Sequence, residues 1–215
     1  ETVFEQIDIA VGTDDRFKYS AGLGFRHDNV DDVSLAHTLN RKIVLEQYAF
    51  GDIDETNIYS FINGEYKTGN WTFNPSVRLD YFKFDYENKL SETYDNKSES
   101  KTIVSPKLNT IYSVNRNWQM FLKTGLGFHS NDARVVTANE GREVLPKAYG
   151  VDLGTIIKPT DKMVINATLW GLLLDQEFVY VGDAGIVEPS GKTRRLGVEV
   201  GGRYQILDWL YLYSD

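Results

Sequence analysis

The sequence predicts an all-β protein, an antiparallel up-and-down transmembrane β-barrel. Three observations carry this: alternation of period two recurs along the chain, short turns alternate with long polar stretches, and tryptophans follow the short turns. Alternation is plain in 118–128, where Trp118, Met120, Leu122, Leu126 and Phe128 share one face with Thr124. Gln119, Lys123, Gly125 and Gly127 take the other, with Phe121 as the exception. In 195–206, Leu196, Val198, Val200, Tyr204 and Ile206 oppose Arg195, Glu199, Arg203 and Gln205, and in 149–158 Tyr149, Val151, Leu153 and Ile157 oppose Asp152 and Lys158. One face suits lipid, the other water.

Ten strands follow in order: 3–11, 16–26, 57–67, 71–85, 101–114, 118–128, 147–158, 162–178, 193–206 and 209–215. Short turns join them at 12–15, 69–70, 115–117, 159–161 and 207–208, and long loops are expected at 27–56, 86–100, 129–146 and 181–192. Outer-membrane barrels have short turns at one rim and long loops at the other, whereas no rule makes loop length alternate in a soluble sandwich. Trp71, Trp118 and Trp209 each follow a short turn, the geometry of an interfacial aromatic girdle. On this parity both termini fall on the long-loop side, so the chain reads as about 10 strands of a larger barrel. The alternatives are a small complete barrel of enzymatic or adhesive type, a soluble β-sandwich and a purely structural membrane barrel without a plug.

Composition removes several functions. The formal charge of −8 comes without a run of Lys and Arg, against nucleic-acid binding. There is no cysteine, hence neither disulfide nor thiol chemistry. The longest apolar run, 169–174, is far short of the ~20 residues of a membrane helix, while barrel strands need only ~9–11.

Several segments resemble the barrel of TonB-dependent outer-membrane receptors, particularly those of Bacteroidetes-type bacteria. They are "SPKLNTIY" (105–112), "GFHSNDAR" (127–134), "LPKAYGVDLG" (145–154), "ATLWGLLLDQEFVYVGDAG" (167–185), "RRLGVEVGGRY" (194–204) and "SVRLDYFKFDY" (76–86). The resemblance covers most of 57–215. It implies a 22-stranded barrel with an N-terminal plug, located in the bacterial outer membrane. Such a receptor takes up a scarce nutrient, such as a ferric siderophore, with energy from the TonB complex. On that reading residues 1–215 are a partial barrel domain, without plug, signal peptide or energy-coupling box, and the chain alone transports nothing. The implied partners are outer-membrane lipid, the TonB complex through the plug, and a small-molecule or metal-chelate ligand; no cofactor, metal or nucleic acid is expected.

The candidate ligand-binding residues are His129, Asn131, Asp132 and Arg134, on a loop predicted at the outer mouth. Consecutive residues of one loop do not assemble a catalytic triad, so no enzyme is expected. Asp152, Lys158, Arg195, Glu199 and Arg203 are expected on the lumen-facing side, against a plug or paired across strands. "GLGF" at 22–25 and 125–128 puts glycines on the same side and fails as a nucleotide motif. The acidic stretches 28–32 and 51–55 lack the twelve-residue calcium-loop pattern and read as solvated charge.

Overall fold

The computed structural model describes residues 1–12, 16–90, 95–129, 133–138, 144–181 and 186–214. Ten strands follow one another as a single antiparallel meander: β1 (Thr2–Gly12), β2 (Phe17–Leu39), β3 (Ile43–Thr68), β4 (Trp71–Asn88), β5 (Asp95–Asn115), β6 (Trp118–Phe128), β7 (Lys147–Thr160), β8 (Met163–Val181), β9 (Ile186–Leu207) and β10 (Leu210–Ser214). One helix, α1 (Ala133–Ala138), lies between β6 and β7. Sheet order equals chain order, and among the described residues β1 and β10 are the two edges. Among the described residues no helix is long and apolar enough to cross a membrane.

The alternation is realised as two unlike faces. On β4, Val77, Leu79 and Tyr81 are exposed while Asp80, Phe82, Phe84 and Tyr86, of the opposite parity, are buried. On β9, Leu196 and Val198 are 71% and 68% exposed, and on β1 Ile7 reaches 73%. Cross-strand register keeps such residues in rows, as in Leu122, Leu153, Leu169 and Val198 on four successive strands. This apolar face is uncovered from β1 to β10.

The short turns stand where the sequence puts them. Trp71 packs 4.7 Å from Tyr112 and 5.9 Å from Phe73, and Trp118 donates from its indole to Thr155 Oγ1 at 2.8 Å. With Gly69 at φ 54°, the tight turn before Trp71 takes a backbone that a side chain resists. The long stretches differ from expectation. Residues 27–56 are mostly strand, with β2 and β3 pairing from Phe17↔Tyr66 up to Leu39↔Ile43. Likewise β4 extends to Asn88, β5 begins at Asp95, and β8 and β9 pair up to Val181↔Ile186. Polarity there marks wet faces on both sides of a continuing strand.

A second departure concerns Leu126 and Phe128. Pairing of β6 to β5 stops at Lys107↔Gly125, and β6 goes on beside β7 alone. There the two side chains pack against a buried cluster of Phe82, Phe84, Ile103, Ala133, Val136 and Leu145, with Phe128 edge-on to Phe82 at 5.5 Å. Helix α1 thus lies against the upper part of β4 and β5 on the face opposite the exposed aliphatic rows.

Candidate functional site

The face opposite the exposed aliphatics carries a connected polar network. Register sets Gln6, Gly24, Tyr59, Asp80 and Ile103 in one row across β1 to β5, and Asp8, Gly22, Phe61, Arg78 and Ser105 in the next. Because alternate residues of a strand share a face, Arg78 reaches along its own strand to Asp80. It binds both carboxylate oxygens at 2.8 Å. The Arg78 guanidinium also lies 3.6 Å over the Tyr59 ring, whose hydroxyl donates to Gln6 Oε1 at 2.6 Å; the Gln6 amide donates to Asp8 at 2.7 Å. Asn57 donates to Asp80 Oδ1 at 3.2 Å.

Asp80 is fully buried, so its charge depends on these donors. Tyr59 and Phe61 fit because their row neighbours are Gly24 and Gly22, where a Cβ would overlap the rings. The first "GLGF" therefore makes room for two aromatics of β3. Ser105 Oγ, in the Arg78 row, is buried without a hydrogen-bond partner.

The five charges expected on this face lie on β7 and β9, and they do not assemble into one site. Asp152 pairs in register with Lys123 and Trp170, and the Trp170 ring covers Gly197 between Arg195 and Glu199. Arg195 forms an ion pair with Glu177. Arg203 stands 4.7 Å from the ring centre of Tyr211, and Glu199 is opposite Thr168. Lys158 is at the short-turn end, where its backbone N–H donates to Asn117 O at 2.7 Å.

Among the loop candidates, His129 has its backbone N–H on Pro146 O and its Nε2 3.4 Å from Gln176 O, which ties the base of the segment to β8. Arg134 is the second residue of α1. Asn131 and Asp132 lie outside the described residues. The network around Arg78 and Asp80 was not nominated from the sequence, although "RLD" on a strand puts the two charges on one face.

The acidic stretches 28–32 and 51–55 lie on β2 and β3 rather than in loops. Asp32 N–H donates to Asp52 Oδ1 at 2.9 Å, and Lys89 Nζ bridges Asp52 at 2.7 Å and Asp32 at 3.0 Å. The hydrogen bond from Lys89 holds the Asp52 carboxyl below its ordinary range, and the two carboxylates hold the Lys89 ammonium well above the usual lysine range. No group of three or more potential metal ligands occurs among the described residues.

A family model described as TonB dependent receptor-like, beta-barrel, matches residues 3–215. The chain belongs to this family. Solved structures agree at the level of fold. The ferric-catecholate import receptor Fiu of E. coli K12 superposes with a TM-score of 0.73 at 14% identity, over 96% of this chain and 36% of that one. The ferric yersiniabactin uptake receptor FyuA of Yersinia pestis gives 0.72 at 13%, over 96% and 33%, and the copper transporter OprC 0.73 at 13%, over 96% and 34%. This TonB-dependent receptor chain thus spans about a third of the length of those structures.

Proposed function

We propose that the chain is part of the wall of a bacterial outer-membrane receptor that takes up a scarce metal chelate, such as a ferric siderophore, with energy delivered through TonB. The carrying observation is the two-faced sheet of a TonB-dependent receptor. Its exposed aliphatic face suits lipid, and its other face bears the Arg78–Asp80–Tyr59 network, suited to a hydrated lumen or a plug. The chelate reading draws on structural neighbours that are a ferric-catecholate import receptor, a ferric yersiniabactin uptake receptor and a copper transporter. Asp152, Lys158, Arg195, Glu199 and Arg203 face the lumen on this reading, while His129, Asn131, Asp132 and Arg134 belong to its outer mouth. The role is transport, not catalysis.

The test is uptake of radiolabelled iron by source cells with and without the gene, supplied as catecholate, hydroxamate or citrate chelates, with and without a protonophore. Loss of one chelate's energised uptake is expected. Unchanged uptake of every chelate, with loss of growth on another nutrient, would replace the chelate reading. Outer-membrane fractionation of the full-length receptor tests the location separately.

A further inference from the structure

Above the aliphatic rows, the outward face of β7 to β9 turns basic. Tyr149, Leu173 and Arg194 stand in one row across the three strands. On β9 the outward positions below Arg194 are the exposed aliphatics Leu196, Val198 and Val200, so the arginine is where that series ends. Two residues further up each strand are Lys147, Asp175 and Lys192. Alternate residues of a strand share a face, which puts these three on the aliphatic side with Tyr149, Leu173 and Arg194.

Lys192 Nζ faces Asp175 Oδ1 at 3.4 Å. Lys147 and Arg194 are exposed and have no charged partner among the described residues. Three cations against one carboxylate leave the patch with an excess of positive charge. The upper outward face of β2 to β4 differs: there Lys83 is matched by Asp85 at 2.7 Å, and Asp54 accepts from Asn29 at 3.0 Å and faces His27 at 3.7 Å.

Height decides the occupant. Lys147 and Arg194 each stand 13 residues from the short-turn ends of their strands, at Thr160 and Leu207, by subtraction of residue numbers. At ~3.3 Å per residue and a tilt of ~40° that is ~33 Å above the short-turn rim, beyond an apolar band ~25 Å tall. Lipid phosphates lie at that level. Two strand spacings of ~4.8 Å separate β7 from β9, so the two long side chains reach one anion above Leu173 from opposite sides.

We propose that Lys147 and Arg194 clasp a phosphate of an outer-leaflet lipid, with its first acyl carbons against Leu173 and Leu196. Arg194 offers a planar fork to two phosphate oxygens, and Lys147 a point charge. Asp175 stands beside the anion and opposes it, and Lys192 offsets that carboxylate. The inference rests on the membrane reading above. It is tested apart from that reading by measuring binding of diphosphorylated lipid A to the purified full-length receptor in nonionic detergent micelles.

Binding should weaken about thirtyfold in the Lys147→Gln/Arg194→Gln double variant, since each basic group near a lipid surface contributes on the order of a factor of five. Asp175→Asn should move it the other way, to about fivefold tighter. Lys83→Gln, on the other side of the wall, should leave it unchanged. Fold is checked in each variant by heat-modifiable migration in detergent gels. A receptor that fractionates with the outer membrane yet binds lipid A equally in all these forms, or binds dephosphorylated lipid A as well, overturns the proposal and leaves the membrane reading standing. Displacement of lipid A by inorganic phosphate alone would overturn it in favour of a free-anion site.

Discussion

At the scale of single residues, the two faces ask for opposite substitutions. Leu122 is on the exposed aliphatic face four residues above the short-turn end of β6 at Trp118, near mid-membrane on the proposed reading. Leu122→Arg should cost about 2–4 kcal/mol of folded barrel and collapse outer-membrane yield. Val198→Arg, nearer the upper edge of the band, should cost about 1 kcal/mol or less. Gln119→Arg, on the other face, should be close to neutral. Urea unfolding of the receptor in micelles ranks the three, and equal effects would defeat the facing.

Arg78 presents the complementary case. Removing it leaves the buried Asp80 carboxylate with Asn57 as its side-chain donor, so Arg78→Met should cost about 3 kcal/mol, while Asp80→Asn, which keeps the shape and removes the charge, should cost less. The same unfolding experiment separates the two. This pair was hard to read in the sequence because its Tyr59 and Gln6 partners come from other strands, and no local spacing announces them.

At the scale of elements, what was legible is what the bilayer enforces. Strand ends at the short turns agree with expectation within a residue or two, because there the aliphatic face and the girdle tryptophans fix the phase. The upper ends were missed by up to a dozen residues or more. Beyond the apolar band both faces of β2 and β3 meet water, so alternation fades although backbone pairing continues to Leu39↔Ile43. Helix α1 was missed for another reason: a single turn and a half, held by Val136 and Leu145 against distant Phe82 and Ile103, has no amphipathic period to detect.

The β2–β3 ribbon also supplies a pH prediction. The Asp52 carboxyl is depressed by Lys89, so the stability it lends the ribbon is present above the ordinary carboxylate range and is lost as pH falls through the lowered value. Lys89 is raised, so its share is present at neutral pH and is lost only in strong alkali, above the usual lysine range. Amide protection around Asp32, Asp52 and Lys89, taken relative to the intrinsic exchange rate at each pH, should thus hold steady from about pH 5 to pH 9 and fall below about pH 4. In Lys89→Met that acid step should vanish and protection should be lower at neutral pH.

At the scale of the whole molecule, the ten strands leave the outer edges of β1 and β10 without a strand partner among the described residues. In hydrocarbon each unsatisfied backbone group costs several kcal/mol, so only closed walls persist there. The 215-residue chain made alone should associate through those edges or aggregate rather than insert as a monomer. Cross-linking after refolding into vesicles checks this, and a monomeric, protease-protected species would count against it.

The partial seam between β5 and β6 also bears on mechanics. A tube slit part-way down from one rim keeps its hoop stiffness below the slit and loses it above. With β5 and β6 laced together only below Lys107↔Gly125, the short-turn rim is the rigid collar and the upper rim the compliant one.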